Sequence, residues 1–140
     1  VDVSRGFSLL ELLVVLCILA ILIGIALPSY QASVIKGRRS DAMALLLEVA
    51  GRQERHRFRS GRYSDDLLAL GYAQDPLPSE GGHYRLSVGA CPDTGFATCY
   101  RLNAEPDPAS PQADDARCAT LSLDAYGQRR ASGSHPASCW

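Results

Sequence analysis

The first place where this sequence can do chemistry is a single carboxylate at the entrance to a long apolar run. Gly6-Phe7-Ser8-Leu9-Leu10-Glu11 leads into Leu12 to Leu27, and Glu11 is the only charged side chain from Phe7 to Leu27. An acid inside an apolar helix costs about 2.5–3.5 kcal/mol on insertion scales unless it is partnered, so intramembrane acids mark function. A cut between Gly6 and Phe7 would make the missing cation, because the new amine at Phe7 is four residues from Glu11 along one helix. In a bundle of identical helices a neighbour's amine would lie opposite Glu11 and neutralise it.

Two further sets of side chains carry chemical potential. Arg52, Arg55, Arg57, Arg59 and Arg62 crowd one stretch with only Glu54 among them, and Arg129 and Arg130 form a second pair. The simpler reading is a solvated face whose cations favour a helix C-terminus. The sharper one is contact with a DNA backbone, with Tyr63 and Tyr72 nearby for stacking. Cysteines fall at 17, 91, 99, 118 and 139. Cys17 lies in the apolar run and reads as a small buried hydrophobe. The other four allow three pairings. Cys91 and Cys99 flank the turn sequence Pro92-Asp93-Thr94-Gly95, which favours a bridge across that hairpin and leaves Cys118 with Cys139.

Other chemistries lack their residues. No C-x-x-C pair occurs, and His56, His83 and His135 have no ligand spacing, so zinc is not expected. Asp107, Asp114 and Asp115 lack the ligand order and glycine of an EF-hand loop. Ser134-His135 has no placed acid, so neither an enzyme nor a cofactor is expected. A formal net charge of -1 over 140 residues excludes a partner chosen by overall charge.

The elements that must position these groups follow from periodicity. Phe7 to Leu27 is 21 residues, about 32 Å as a helix, which suffices to cross a bilayer's hydrocarbon. Gly24 and Pro28 predict a kink, since proline removes a backbone donor and crowds the preceding turn. From Ser29 to about Arg59 the helix becomes amphipathic, with Val34, Ile35, Ala42, Leu45, Leu46, Val49, Ala50 and Gln53 on one stripe; Gly61 ends it. Residues 60–74 read as a loop that tucks Leu67, Leu70 and Tyr72 into the head. Strands are expected at His83–Ala90, Phe96–Ala104 and Ala119–Asp124, with a short one near Gln128–Ala131. Ala104 to Ala116, rich in proline, reads as an exposed loop.

The segment Gly6 to Glu11, the apolar run and Ala26-Leu27-Pro28-Ser29-Tyr30 resemble the N-terminal signature of type IV prepilins. Gln112, Asp115, Cys118, Leu121, Leu123, Asp124, Gly127 and the pair Cys139-Trp140 are similar to the C-terminal pattern of minor pilins of the PilE type. The resemblance implies an α+β pilin fold, a long N-terminal helix packed on a three- or four-stranded antiparallel sheet. It divides the chain into a leader remnant at 1–6, a transmembrane and filament-core helix at 7–28, and a periplasmic head at 29–140.

By the same resemblance a prepilin peptidase cleaves between Gly6 and Phe7, Phe7 is N-methylated, and Glu11 guides assembly. The implied partners are other pilins, an inner-membrane assembly platform and an adhesin at the pilus tip. The implied role is a minor pilin that primes or joins the pilus and supports adhesion and twitching. Lys36, Arg38 and Arg39 would place the head in the cytoplasm by the positive-inside rule. The paired cysteines and the resemblance place it outside. A DNA-binding pilin and a type II secretion pseudopilin are the alternatives.

Overall fold

The computed structural model describes residues 7–140; the leader remnant, Gly6 included, lies outside the described residues. Helix α1 runs Leu9–Ser60 and contains Pro28, so the helix carries through Gly24 and Pro28. The chain forms two compact units, one up to Val34 and one over Ile35–Trp140. In the first, every residue from Phe7 to Ser33 is exposed.

The second unit is the head. Strands β1 (Leu77–Pro78), β2 (Tyr84–Ala90), β3 (Tyr100–Pro106), β4 (Leu121–Asp124) and β5 (Arg129–Ala131) form one sheet in the order β1-β2-β3-β4-β5. All neighbours are antiparallel, with Tyr84 opposite Pro106, Leu102 opposite Leu123, and Ser122 opposite Arg130. A four-residue helix, α2 (Gly95–Thr98), and short 3-10 turns at 68–70, 111–114 and 136–138 fill the connections.

The core follows from two periods meeting. Ala42, Leu46, Val49 and Gln53 recur every three or four residues and form the buried line of α1. Tyr84 and Leu86 on β2, Tyr100, Leu102 and Ala104 on β3, and Leu121 and Leu123 on β4 alternate onto the inner face of the sheet. Leu67 and Leu70 close one end of this core, and Tyr72 packs partly against it. α1 ends at Ser60 because Gly61, at φ 77°, turns the chain left-handed while its N–H returns to the Arg57 carbonyl.

Five sequence expectations need correction. The sheet has five strands, since Leu77 and Pro78 pair with Leu86 and Arg85 at its edge. Phe96–Ala104 is not one strand: residues 95–98 are helical, Gly95 has φ 57°, and the Phe96 carbonyl accepts from Tyr63 N–H, so pairing starts at Tyr100. Ala104 to Ala116 is not all loop, because β3 continues to Pro106 and places its proline at the last ladder position. The third strand starts at Leu121, after Ala119 at φ 48° has turned the chain. Cys17, read as a buried hydrophobe, is exposed and unbonded, since no described residue covers that part of α1.

The C-terminal segment is held by two means. Disulfides join Cys91 to Cys99 and Cys118 to Cys139, with Cα atoms 5.6 and 5.7 Å apart. Residues 133–135 also donate backbone hydrogen bonds to the carbonyls of Cys118, Ala116 and Arg117. Gly133 permits this approach, since a Cβ there would fall on the Arg117 carbonyl. Trp140 then donates its indole N–H to the Arg130 carbonyl at 2.9 Å, with Arg129 stacked on the ring. Replacing Gly133 by Ala is expected to cost about 1–3 kcal/mol in a urea melt, the range for overpacking. Gly37→Ala, with nothing within 4 Å of the added methyl, should be neutral or stabilising.

Candidate functional site

The N-terminal half of α1 presents a surface with one charge. Phe7 is 80% exposed and Leu9 86%, and Glu11 lies in the first turn of the helix as its only acid there. Length and composition suffice for one membrane crossing, with none of the apolar window buried. Leu and Ile side chains cover the surface from there to Leu27, which suits lipid or the apolar helices of other subunits equally.

In the head, the seven arginines singled out by sequence separate into different environments. Arg52 donates to the Leu70 carbonyl at 3.2 Å and pairs with Glu48 at 3.2 Å, and its guanidinium lies 4.1 Å from the centre of the Tyr72 ring. Tyr72 donates its hydroxyl to Glu48, and burial together with that carboxylate pushes its pKa up to about 12. Arg57 donates to the Tyr63 hydroxyl at 2.7 Å, and Tyr63 donates to Glu54 at 2.9 Å. That bond to Tyr63 raises the Arg57 pKa, while burial raises that of Tyr63. Two of the seven therefore hold the loop after α1 against the helix.

Arg52, Arg55, His56 and Arg59 share one helical face and line an open cavity of about 180 Å³ floored by Ala69 and Leu70. Arg62 lies beyond the end of α1 and does not join them. Arg130 reaches Gln128 and lines a separate cavity with Arg101, Asp124, Tyr126 and the Cys91–Cys99 bridge. Arg129 is taken up by Trp140. The arginines thus form a compact cationic face on α1, and the pair on β5 lies outside that cavity. Ser134 Oγ lies 2.9 Å from His135 Nδ1 on the exposed surface, and no group of three or more metal-ligating side chains converges among the described residues.

Sequence reasoning missed the strongest ion pair. Arg39, read there only as a flanking charge, makes two hydrogen bonds of 2.7 Å to Asp115, whose side chain is 2% exposed. Gln112 donates to Asp115 and to the Tyr84 hydroxyl. This network ties the 111–115 turn to α1 and to β2. A bidentate arginine and a carboxylate separated by 76 residues leave no local signal, so only the fold brings them together.

These features define a class: a long, half-exposed helix bearing a buried stripe of about three turns under an antiparallel meander, with a C-terminal disulfide, is the architecture of a type IV pilin. The structure of the Neisseria meningitidis non-core minor pilin PilV shares the fold, with a TM-score of 0.51 at 20% identity over 73% of this chain and 90% of that one. A family model for the prokaryotic N-terminal methylation motif matches residues 3–27. The model described as "Type IV minor pilin ComP, DNA uptake sequence receptor" matches residues 28–122, and the chain belongs to that family of type IV minor pilins.

Curated relatives agree at the level of the superfamily. The chain is 32% identical over 87 residues to the type IV major pilin protein PilA of Myxococcus xanthus, covering 62% of this chain and 38% of that one. It is 37% identical over 72 residues to the fimbrial protein EcpC of Eikenella corrodens, covering 51% and 47%. The chain thus matches half or less of the length of these relatives.

The Arg39–Asp115 pair sets a pH dependence. Burial pushes the Asp115 carboxyl up, but the Arg39 hydrogen bonds and charge outweigh it and hold the carboxyl below its ordinary value. A depressed folded-state value contributes stability that is complete above the unfolded carboxyl's titration, near pH 4, and is lost as pH falls through the folded value. Arg39→Met is expected to cost about 3–5 kcal/mol at pH 7, because it leaves Asp115 buried and unpaired. In urea melts the gap to wild type should narrow steadily below pH 4.

Proposed function

We propose that this minor pilin is anchored by the first half of α1 as a single inner-membrane span with its head in the periplasm, and is then drawn into an extracellular pilus. The observation that carries this is the exposed apolar surface of Phe7 to Leu27, whose one charge is Glu11. Cleavage between Gly6 and Phe7 by the prepilin peptidase, followed by methylation of Phe7, would free the amine that Glu11 of a neighbouring subunit neutralises. Two disulfides suit an oxidising compartment, which favours the external orientation over the one the flanking cations suggest. In the filament, the second half of α1 offers a further seam: Gly37, Ser40, Ala44, Leu47 and Phe58 lie opposite the buried stripe, and all are exposed. With the assembly platform as its entry point, the subunit primes or joins the pilus and supports adhesion and twitching as a structural component.

A second reading rests on the cationic face of α1. The matching family model is described as a receptor for a DNA uptake sequence, and Arg55 and Arg59 stand on that face beside Arg52. The head of an assembled subunit would then hold DNA by its phosphates.

Two measurements test these readings. An intact mass from membranes and from sheared pili, before and after reduction, should start at methylated Phe7 and gain four protons on reduction, about 4 Da, if both bridges are closed. A chain that keeps residues preceding Phe7 and is absent from sheared material would overturn the filament reading. For the second, the full chain in detergent should retain duplex DNA at low salt and release it as salt rises, with a log–log slope of about -2 to -3 for two or three neutralised phosphates. Absence of retention at low salt would remove DNA binding.

A further inference from the structure

The cavity beside the end of α1 is lined by cations alone among its charged residues. Arg52, Arg55 and Arg59 stand at successive three- and four-residue steps, so each faces the next along one side of the helix, with His56 beside them. Like charges at those spacings repel, and the lining contains no carboxylate to offset them. Glu48 is the acid nearest to them by bonding, and it is already committed to Arg52 and to the Tyr72 hydroxyl.

The site is also preorganised. Arg52 is fixed by the Leu70 carbonyl, by Glu48 and by stacking on Tyr72. Gly71 makes room for it: at φ 90° the residue is left-handed, and a Cβ there would lie 3.3 Å from the Arg52 Nη1. No side-chain hydrogen bond or ion pair of the head engages Arg55 or Arg59 among the described residues, so both forks are free to turn to a ligand. The floor is apolar, Ala69 and Leu70, and the cavity is open to solvent. Arginine forks match tetrahedral oxyanions, with several oxygens to share among several N–H groups. An open rim with an apolar floor lets the ligand continue past the site at both ends, as a sugar–phosphate chain does.

We propose that this cavity is a binding site for one phosphate group, held by Arg55 and Arg59 against the fixed Arg52, with His56 as a fourth contact. This deepens the DNA reading and rests on it for the phosphodiester as source; free phosphate is the other source of the same chemistry. Phe58, 93% exposed between Arg57 and Arg59, is not part of the cavity lining and is left to contacts outside this site.

The test uses the full chain in detergent micelles, with inorganic phosphate and a DNA duplex as separate probes. The readouts are the arginine Nε–H resonances and the salt dependence of DNA binding, for wild type and for Arg55→Gln/Arg59→Gln. These two side chains hold nothing within the head, so the variant should melt at the wild-type temperature. Arg55→Lys/Arg59→Lys, which keeps the charge and loses the fork, serves as a second variant. In wild type, phosphate should shift the resonances of Arg52, Arg55 and Arg59 together. The Gln variant should weaken phosphate at least tenfold and lower the DNA salt slope by about 1, the share of one phosphate, while the Lys variant should keep most of the slope. Phosphate binding without DNA binding would keep the site and overturn the DNA reading. DNA binding unchanged in the Gln variant would overturn the site and leave the DNA reading to another surface. Absence of any phosphate-induced shift would overturn the site outright.

Discussion

The head depends on one contact, the burial of the Ala42, Leu46, Val49 and Gln53 line of α1 against the inner face of the sheet. Each of these residues is fully buried, and a Leu or Val side chain removed from water contributes about 1.5–3 kcal/mol. Gln53 shows how specific the contact is. It sits in an apolar line, yet its amide donates to the Ser64 carbonyl at 2.8 Å and accepts from Ser64 N–H at 2.9 Å. Both amide groups are satisfied, so the residue adds register where a leucine would add only area. It fixes where the chain turns after α1, and hence where Leu67, Leu70 and Tyr72 meet the core.

With that seam in place, the polar side chains of α1 divide by angle around the helix. Those flanking the stripe reach across to loops: Arg39 to Asp115, Arg52 to Leu70, Arg57 to Tyr63. Those further round stay in solvent. A run of arginines that looks uniform in sequence therefore contains two kinds of residue, struts that stabilise the head and cations available to a partner. The strut at Tyr63 is reinforced by an edge-on contact with Tyr100, ring centres 4.7 Å apart, which links the loop to the middle strand of the sheet.

Much of this was legible in the sequence because the responsible signals are local. The apolar run, the three- and four-residue stripe ending at Gly61, the alternation at Tyr84, Leu86 and Val88, and the turn between Cys91 and Cys99 are read within a few neighbouring residues. What escaped is non-local. The edge strand of Leu77 and Pro78 exists only because Leu86 and Arg85 offer it a ladder, and two residues, one of them a proline, carry no periodicity. Phe96 has strand propensity, but the short bridge from Cys91 to Cys99 and the bond to Tyr63 N–H wind it into α2. The cationic cavity needed the angular positions of Arg52, Arg55, His56 and Arg59 together with the turn at Leu70. Composition supplied the charges and the fold supplied the wall.

The edges of the sheet bear on how this head avoids joining another strand to strand. A sheet whose outer strands expose unpaired backbone groups invites another chain to add itself as the next strand. Here both outer strands are short, two residues in β1 and three in β5. The Cys118–Cys139 bridge holds Trp140 near β5, where its indole donates to the Arg130 carbonyl. Edges this short offer a second chain little ladder to extend, and the exposed side of α1 is left as the larger surface for association.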